Sequence, residues 1–238
     1  MQMTFLLNAL LLLIFSPCAS ASTDGEVTDF SKAKWEKHSD DDGVRVDIWE
    51  VPNSPTFAFR AEGEIEAPVG KVASVLIDLT RRKEWNSDVG EARTLRQISA
   101  TERLDYWVIE TPFVIKDRDF VLHTKAEFDV PNNTLFLKFH STDDPAMPET
   151  SRVRGKIHNS YYSLTPSPDG KKTKVVFLVH VDPMGSCPKW IVNMFQKGYP
   201  HRNLTALRKQ VMKPDIGEHA QVKALFETKQ INRLIMGK

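Results

Sequence analysis

Residue types capable of chemistry are scattered through this 238-residue chain rather than gathered. Its seven histidines form no H-E-x-x-H pattern. Asp47, Asp105, His123, His140 and His158 fall in no nucleophilic or metal-binding motif, and no G-x-S-x-G occurs. Cys18 and Cys187 make no C-x-x-C. Asp40-Asp41-Asp42 ahead of Gly43 reads as a solvated turn rather than a calcium site. No Gly-rich phosphate loop is present. What remains are polar side chains set singly into apolar strands: Tyr106, Glu110, Thr124, Asn159 and Tyr161. Apolar walls with a few polar groups are the make-up of a small-molecule cavity, and the alternative is a filled core.

The elements that position those residues follow from periodicity. Thr28 to Lys37 reads as a short helix. Val44 to Trp49 and Thr56 to Ala67 alternate as strands, the second with Phe57, Phe59, Ala61, Gly63 and Ile65 on one face and Arg60, Glu62, Glu64 and Glu66 on the other. Pro68 opens a helix to Leu79, and a second short helix is predicted over Arg81 to Val89. Strand-like runs follow at Ala92–Ser99, Arg103–Thr111, Asp119–Val130, Thr134–Ser141, Ser151–Thr165 and Lys172–Asp182. One phase of the later runs is apolar: Phe120, Leu122, Thr124, Ala126 and Phe128; Leu135, Leu137 and Phe139; Val153, Gly155, Ile157, Asn159 and Tyr161; Val175, Phe177, Val179 and Val181. His123, Lys125, Lys138, Arg152, Arg154 and His158 take the other phase. From Pro188 to about Met212 a long helix, kinked at Gly198–Pro200, presents Trp190, Ile191, Met194, Phe195, Leu204, Leu207 and Val211. The fold class is α+β: one curved antiparallel sheet, apolar on its concave side, closed by a long C-terminal helix. Trp190 and Met194, with Phe139 and Phe177, are its candidate lining. Trp85 reads as core.

Several local motifs, in this order of elements, resemble a START domain, the lipid-transfer module related to steroidogenic acute regulatory protein. They are Arg82-Lys83-Glu84-Trp85-Asn86; Tyr106-Trp107, Thr111-Pro112-Phe113 and Arg118-Asp119-Phe120-Val121; Asp182-Pro183-Met184-Gly185; Pro188-Lys189-Trp190-Ile191-Val192-Asn193; and Leu204 to Val211. The resemblance implies a helix-grip fold over residues 27–213 with an internal lipid tunnel, and a lid made of the last helix and the omega loop Pro112–Asp117. It implies one bound lipid, a phospholipid, sterol or other apolar molecule, carried or presented without chemistry or cofactor. A lipid-gated interaction protein and a cyclase- or hydrolase-like enzyme of the same fold are the alternatives. Phosphatidylcholine-transfer members are nearest in motif and place an Arg on the phosphate at the position of Arg82. This chain departs from them at Leu76, where an aromatic stands, and at Asn86, where an acid stands. By itself Arg82 reads as an exposed helix-end cation. Arg118-Asp119 reads as an ion pair bracing the omega loop.

The bulk numbers agree with a globule that is not drawn to polyanions. Lys+Arg number 32 and Asp+Glu 31, a net charge of +1, which excludes a broad nucleic-acid surface. The apolar run Phe5–Phe15 is too short to span a bilayer, which takes about 20 residues. With Ala19-Ser20-Ala21 it reads as a signal peptide over residues 1–21, so the chain is expected to be exported, periplasmic or secreted. Residues 214–238 form a C-terminal extension with a helical stretch from His219 to Met236. A monomer making transient membrane contact is expected.

Overall fold

The computed structural model describes residues 28–111, 115–186 and 189–236, without the side chains of 189–197 and 229–236. The expected signal peptide, Cys187, and the side chains of Trp190 and Met194 lie outside the described residues.

Eleven strands form one sheet, ordered β1-β2-β3-β11-β10-β7-β6-β5-β4 and antiparallel along that path. They are β1 (Glu36–Asp41), β2 (Val44–Glu50), β3 (Phe57–Ile65), β4 (Val89–Gln97), β5 (Glu102–Ile109), β6 (Arg118–Asp129), β7 (Thr134–Ser141), β8 (Val153–Arg154), β9 (Lys156–Ile157), β10 (Ser160–Pro166) and β11 (Thr173–Asp182). The curved sheet closes on α2 (Lys189–Val211), with α1 (Val69–Ile77) and α3 (Ala220–Met236) beside it. α2 buries Leu204, Leu207 and Val211, spaced to hold one face on the sheet. It is one helix through Gly198 and Pro200, the point at which a kink is expected. Gly63 on β3 makes the close crossing possible. A Cβ there would sit 3.0 Å from Leu204 Cδ2 and 3.0 Å from the Gly43 carbonyl. The main core joins α1, α2, β2, β3, β7, β10 and β11, and takes in Val222 and Phe226 of α3.

The amino-terminal region differs from its predicted helix. Only a 3-10 turn, Phe30–Lys32, forms, with Asp29 accepting from the Ser31 N–H (3.0 Å), and the chain then enters β1. The register Asp41↔Val44 leaves a two-residue hairpin, and Asp42 (φ 50°) and Gly43 (φ 66°) take the left-handed conformation such a turn needs. Phe30, Trp35 and Trp49 meet at 6.2 Å between ring centroids, a contact that a helix over 28–37 would not have to provide. The second predicted short helix reduces to a 3-10 turn, Arg82–Glu84.

The run Ser151–Thr165 is not one strand. β8 pairs in parallel with β6, β9 pairs with β11, and the phase breaks at His158–Asn159 before β10 begins. Gly155 lies so close to β6 that a Cβ would be 2.4 Å from Phe120 Cε1. Gly155→Ala is therefore expected to cost about 1–3 kcal/mol, as overpacked cores do. Urea denaturation measures it, and an unchanged midpoint would show that Phe120 moves aside freely.

Candidate functional site

Between the concave face, α1 and α3 lies a cavity of about 510 Å³. Its apolar wall comes from β6 and β7 (Ala126, Phe128, Leu135, Leu137, Phe139), from Leu76 of α1, and from Val222 and Leu225 of α3. A smaller hollow of about 80 Å³, lined by Phe59, Ile109, Phe120, Phe177 and Val181, lies towards the far end of β6 and β11. Trp107, Phe139 and Tyr162 border both.

Arg82 is the unusual group on this wall. Read from sequence as an exposed cation, it is 3 % exposed. The 3-10 turn that carries it follows α1 directly and turns the side chain back under the helix. Nη2 donates to the Leu76 carbonyl (2.9 Å), while Nε and Nη1 are buried with no hydrogen-bond partner. The guanidinium stacks between two indoles, 4.6 Å from the Trp85 ring and 4.6 Å from the Trp107 ring. The Nε1–H groups of both tryptophans are likewise buried without an acceptor. Burial pushes the Arg82 pKa down, yet guanidinium starts high enough to keep its charge. Asn86 carries no charge, and its Nδ2 donates to the Tyr199 hydroxyl (3.4 Å). Buried donors without acceptors are costly.

A second polar group sits further along. Asp105, 1 % exposed, accepts from Arg103 Nε (2.9 Å), Thr124 Oγ1 (2.9 Å) and Thr94 Oγ1 (3.0 Å). Arg103 also donates to the Ile77 carbonyl (2.9 Å), tying β5 to the end of α1. Tyr162 donates to Asn203 Oδ1 (2.7 Å), and burial pushes its phenol pKa upward.

Of the residues chosen from sequence, Arg82, Thr124, Phe139 and Phe177 line the interior. Tyr106 does not. It points to the opposite face with Leu104, Val108 and Val121, and donates to Asp119 Oδ2 (3.0 Å). Glu110 and Asn159 are exposed. Tyr161 packs on Phe136 on the outer face, because the break at 158–159 puts Tyr162 inward in its place. Arg118 and Asp119 do not pair, since neighbours on a strand point to opposite faces. Arg118 donates to the Lys116 carbonyl (2.6 Å), and Asp119 binds Arg154. Sequence reasoning missed Arg103, Asp105, Trp107 and Tyr162. The alternate phase of β5 and the Trp of Tyr106-Trp107 were the signals available.

His123 and His158 do not face this interior. His158 stacks on His180 (4.3 Å between centroids) along a groove on the other side of the sheet. His180, 1 % exposed, lies 2.9 Å from Thr28 Oγ1 and 2.9 Å from Ser54 Oγ. Burial, and then His158, push its pKa down to about 4. An unfolded histidine titrates near 6.5, so between about pH 6.5 and 4 the unfolded chain takes up a proton that the folded one refuses. Stability from His180 is complete above that window and declines as pH falls through it, by up to about 3 kcal/mol. Burial lowers His140 and His158 as well, in the same sense. Denaturant midpoints at pH 7.5 and 5 are expected to differ accordingly, the lower pH being less stable. Equal midpoints would mean that water reaches His180.

The START domain family model matches residues 28–201, and the sheet wrapped on α2 is the fold of that family. The chain belongs to the START family. A protein of Pseudomonas aeruginosa named only as uncharacterized is 29% identical over 175 residues, 73% of this chain and 85% of its own length. The phosphatidylcholine transfer protein of Bos taurus is 29% identical over 178 residues, 72% of this chain and 81% of its own. Among solved structures, a STAR-related lipid transfer protein fragment from Xanthomonas axonopodis superposes with a TM-score of 0.67 at 26% identity, covering 75% of this chain and 99% of that one. The START match ends at residue 201, so α3, which supplies Val222 and Leu225 to the cavity, lies beyond it.

Proposed function

We propose that this chain binds one apolar lipid in the space between the sheet and the helices packed on it, and carries or presents it without changing it chemically. The observation that carries this reading is Arg82: a buried cation with two unpartnered N–H groups on the wall of an otherwise mainly apolar cavity of about 510 Å³. Such a wall accepts a molecule with long apolar surface and one polar end. The names of two relatives, a phosphatidylcholine transfer protein and a STAR-related lipid transfer protein, support the same class of ligand. Entry requires the covering elements to part, and the lid we assign is α2 with segment 112–117, of which 112–114 lie outside the described residues. Export, argued from Phe5–Phe15 and Ala19-Ser20-Ala21, puts this exchange outside the cytoplasm. Among the described residues no helix is long and apolar enough to cross a membrane, and no cluster of three His, Cys, Asp or Glu side chains is poised for a metal.

Native mass spectrometry of the protein from its own host, followed by extraction, tests the reading. A stoichiometric lipid is the expected result. An empty protein that also takes up neither sterol nor phospholipid from vesicles would make the interior a packed core.

A further inference from the structure

We infer that the interior selects amphiphiles whose polar end bears a net negative charge, phosphate or carboxylate, over zwitterionic and neutral ones. The inference rests on the lipid-binding reading and concerns the charge of the ligand within it.

The argument is a charge count along the wall. Four side chains of fixed charge line the larger cavity: Arg82, Arg103, Asp105 and Glu127. Arg103 and Asp105 pair at 2.9 Å and cancel. Glu127, towards the end of β6, is held by Lys125 and Lys138. His219, just before α3, and the Tyr162 phenol complete the titratable lining. Arg82 alone has no acid in contact with it. Its neighbours are the Leu76 carbonyl, two indole rings, the neutral hydroxyl of Tyr162 and, one turn on, Asn86, whose N–H bonds the Arg82 carbonyl (3.0 Å). With Asn86 the surplus of one positive charge is buried, where it is screened least and where leaving it unmatched costs most.

The unpartnered donors strengthen the case. Arg82 Nε and Nη1 and Trp107 Nε1 are buried N–H groups without an acceptor on residues of this wall, and Trp85 Nε1 is a fourth just behind it. Spare donors around a buried cation suit oxygen anions. A sterol hydroxyl would satisfy one of these donors and leave the charge unmatched. A zwitterionic headgroup would bring a second cation into a space whose wall already carries the surplus.

The test uses the whole mature protein incubated with vesicles of equal phosphatidylglycerol and phosphatidylcholine. The protein is then re-isolated and its lipid identified by mass spectrometry. A parallel arm offers oleate against cholesterol. Enrichment of phosphatidylglycerol by roughly tenfold or more is expected, the order of effect when a buried charge loses its only counter-charge. Oleate taken up in preference to cholesterol would support the same inference with a carboxylate head. Arg82→Gln is expected to bring the phosphatidylglycerol ratio near one, with its near-UV circular dichroism unchanged. Asn86→Asp, which supplies the missing acid, is expected to move it towards phosphatidylcholine. Equal or preferential uptake of phosphatidylcholine by the unaltered protein would overturn the inference and leave lipid binding standing. Uptake of no lipid in either arm would overturn lipid binding itself.

Discussion

Replacing Arg82 with Met is expected to weaken retention of the bound lipid by about thirtyfold or more while leaving the empty protein as stable as before, or more so. The two effects have one cause. In the empty chain the guanidinium is buried with two idle N–H groups, and removing such a group relieves a desolvation cost. Met keeps most of the stem that fills the gap between Trp85 and Trp107. The loss on the folding side is one hydrogen bond to the Leu76 carbonyl, about 1 kcal/mol. On the binding side, the ligand's anion would face a cavity stripped of its counter-charge, at about 2–5 kcal/mol. Dissociation rates from vesicle exchange and thermal melts of delipidated protein read the two sides separately. A variant that melts much lower and still holds lipid normally would make Arg82 a structural residue, and the site would have to be sought elsewhere.

How much of this was legible in sequence depends on how many faces of each strand are covered. On β6, β7 and β11 the apolar alternation points inward, because their other phase carries Lys, Glu or His, and the phase read from sequence placed Thr124, Phe139 and Phe177 correctly. On β5 the rule fails. Leu104, Tyr106 and Val108 are the more apolar phase, yet they face outward, beneath Leu95 and Met147. Arg103, Asp105 and Trp107 take the cavity side. A strand buried on both faces has no dry and wet phase to compare, and the polar phase is then the one at the site. The break at His158–Asn159 defeats periodicity differently, since a phase cannot be carried across a strand that changes partners. Arg82 was misread because its burial comes from Trp107, a residue distant in sequence, and from a turn too short to show a pattern. The C-terminal stretch His219–Met236 was legible as a helix, but not that Val222 and Leu225 would help wall the cavity.

Asp119 carries the largest stability effect expected outside the site. It is 0 % exposed and gathers three donors on the outer face of β6. Arg154 Nε reaches Oδ1 at 2.9 Å, Tyr106 donates to Oδ2 at 3.0 Å, and Thr150 donates to Oδ2 at 2.9 Å. Burial pushes its pKa up, but the bonds from Arg154 and Thr150 outweigh that and hold it below the usual carboxylate range. These bonds join β5, β6, β8 and the segment around Thr150, whose backbone β6 also holds through Gly155 N–H to the Asp119 carbonyl (2.9 Å). Asp119→Ala leaves the Tyr106 hydroxyl without its acceptor and Arg154 half-buried without its acid. The expected cost is about 3–5 kcal/mol, as when one partner of a buried ion pair is removed. For a domain of this size that is a melting-temperature drop of roughly 10 °C. Because the side chain points away from the cavity, the class of lipid recovered from the folded fraction should not change. The double variant Asp119→Ala/Arg154→Ala separates pairing from packing. If the carboxylate acts mainly through Arg154, the second substitution adds little to the first. If the two costs sum, Tyr106 and Thr150 are the partners through which Asp119 holds β5 against β6.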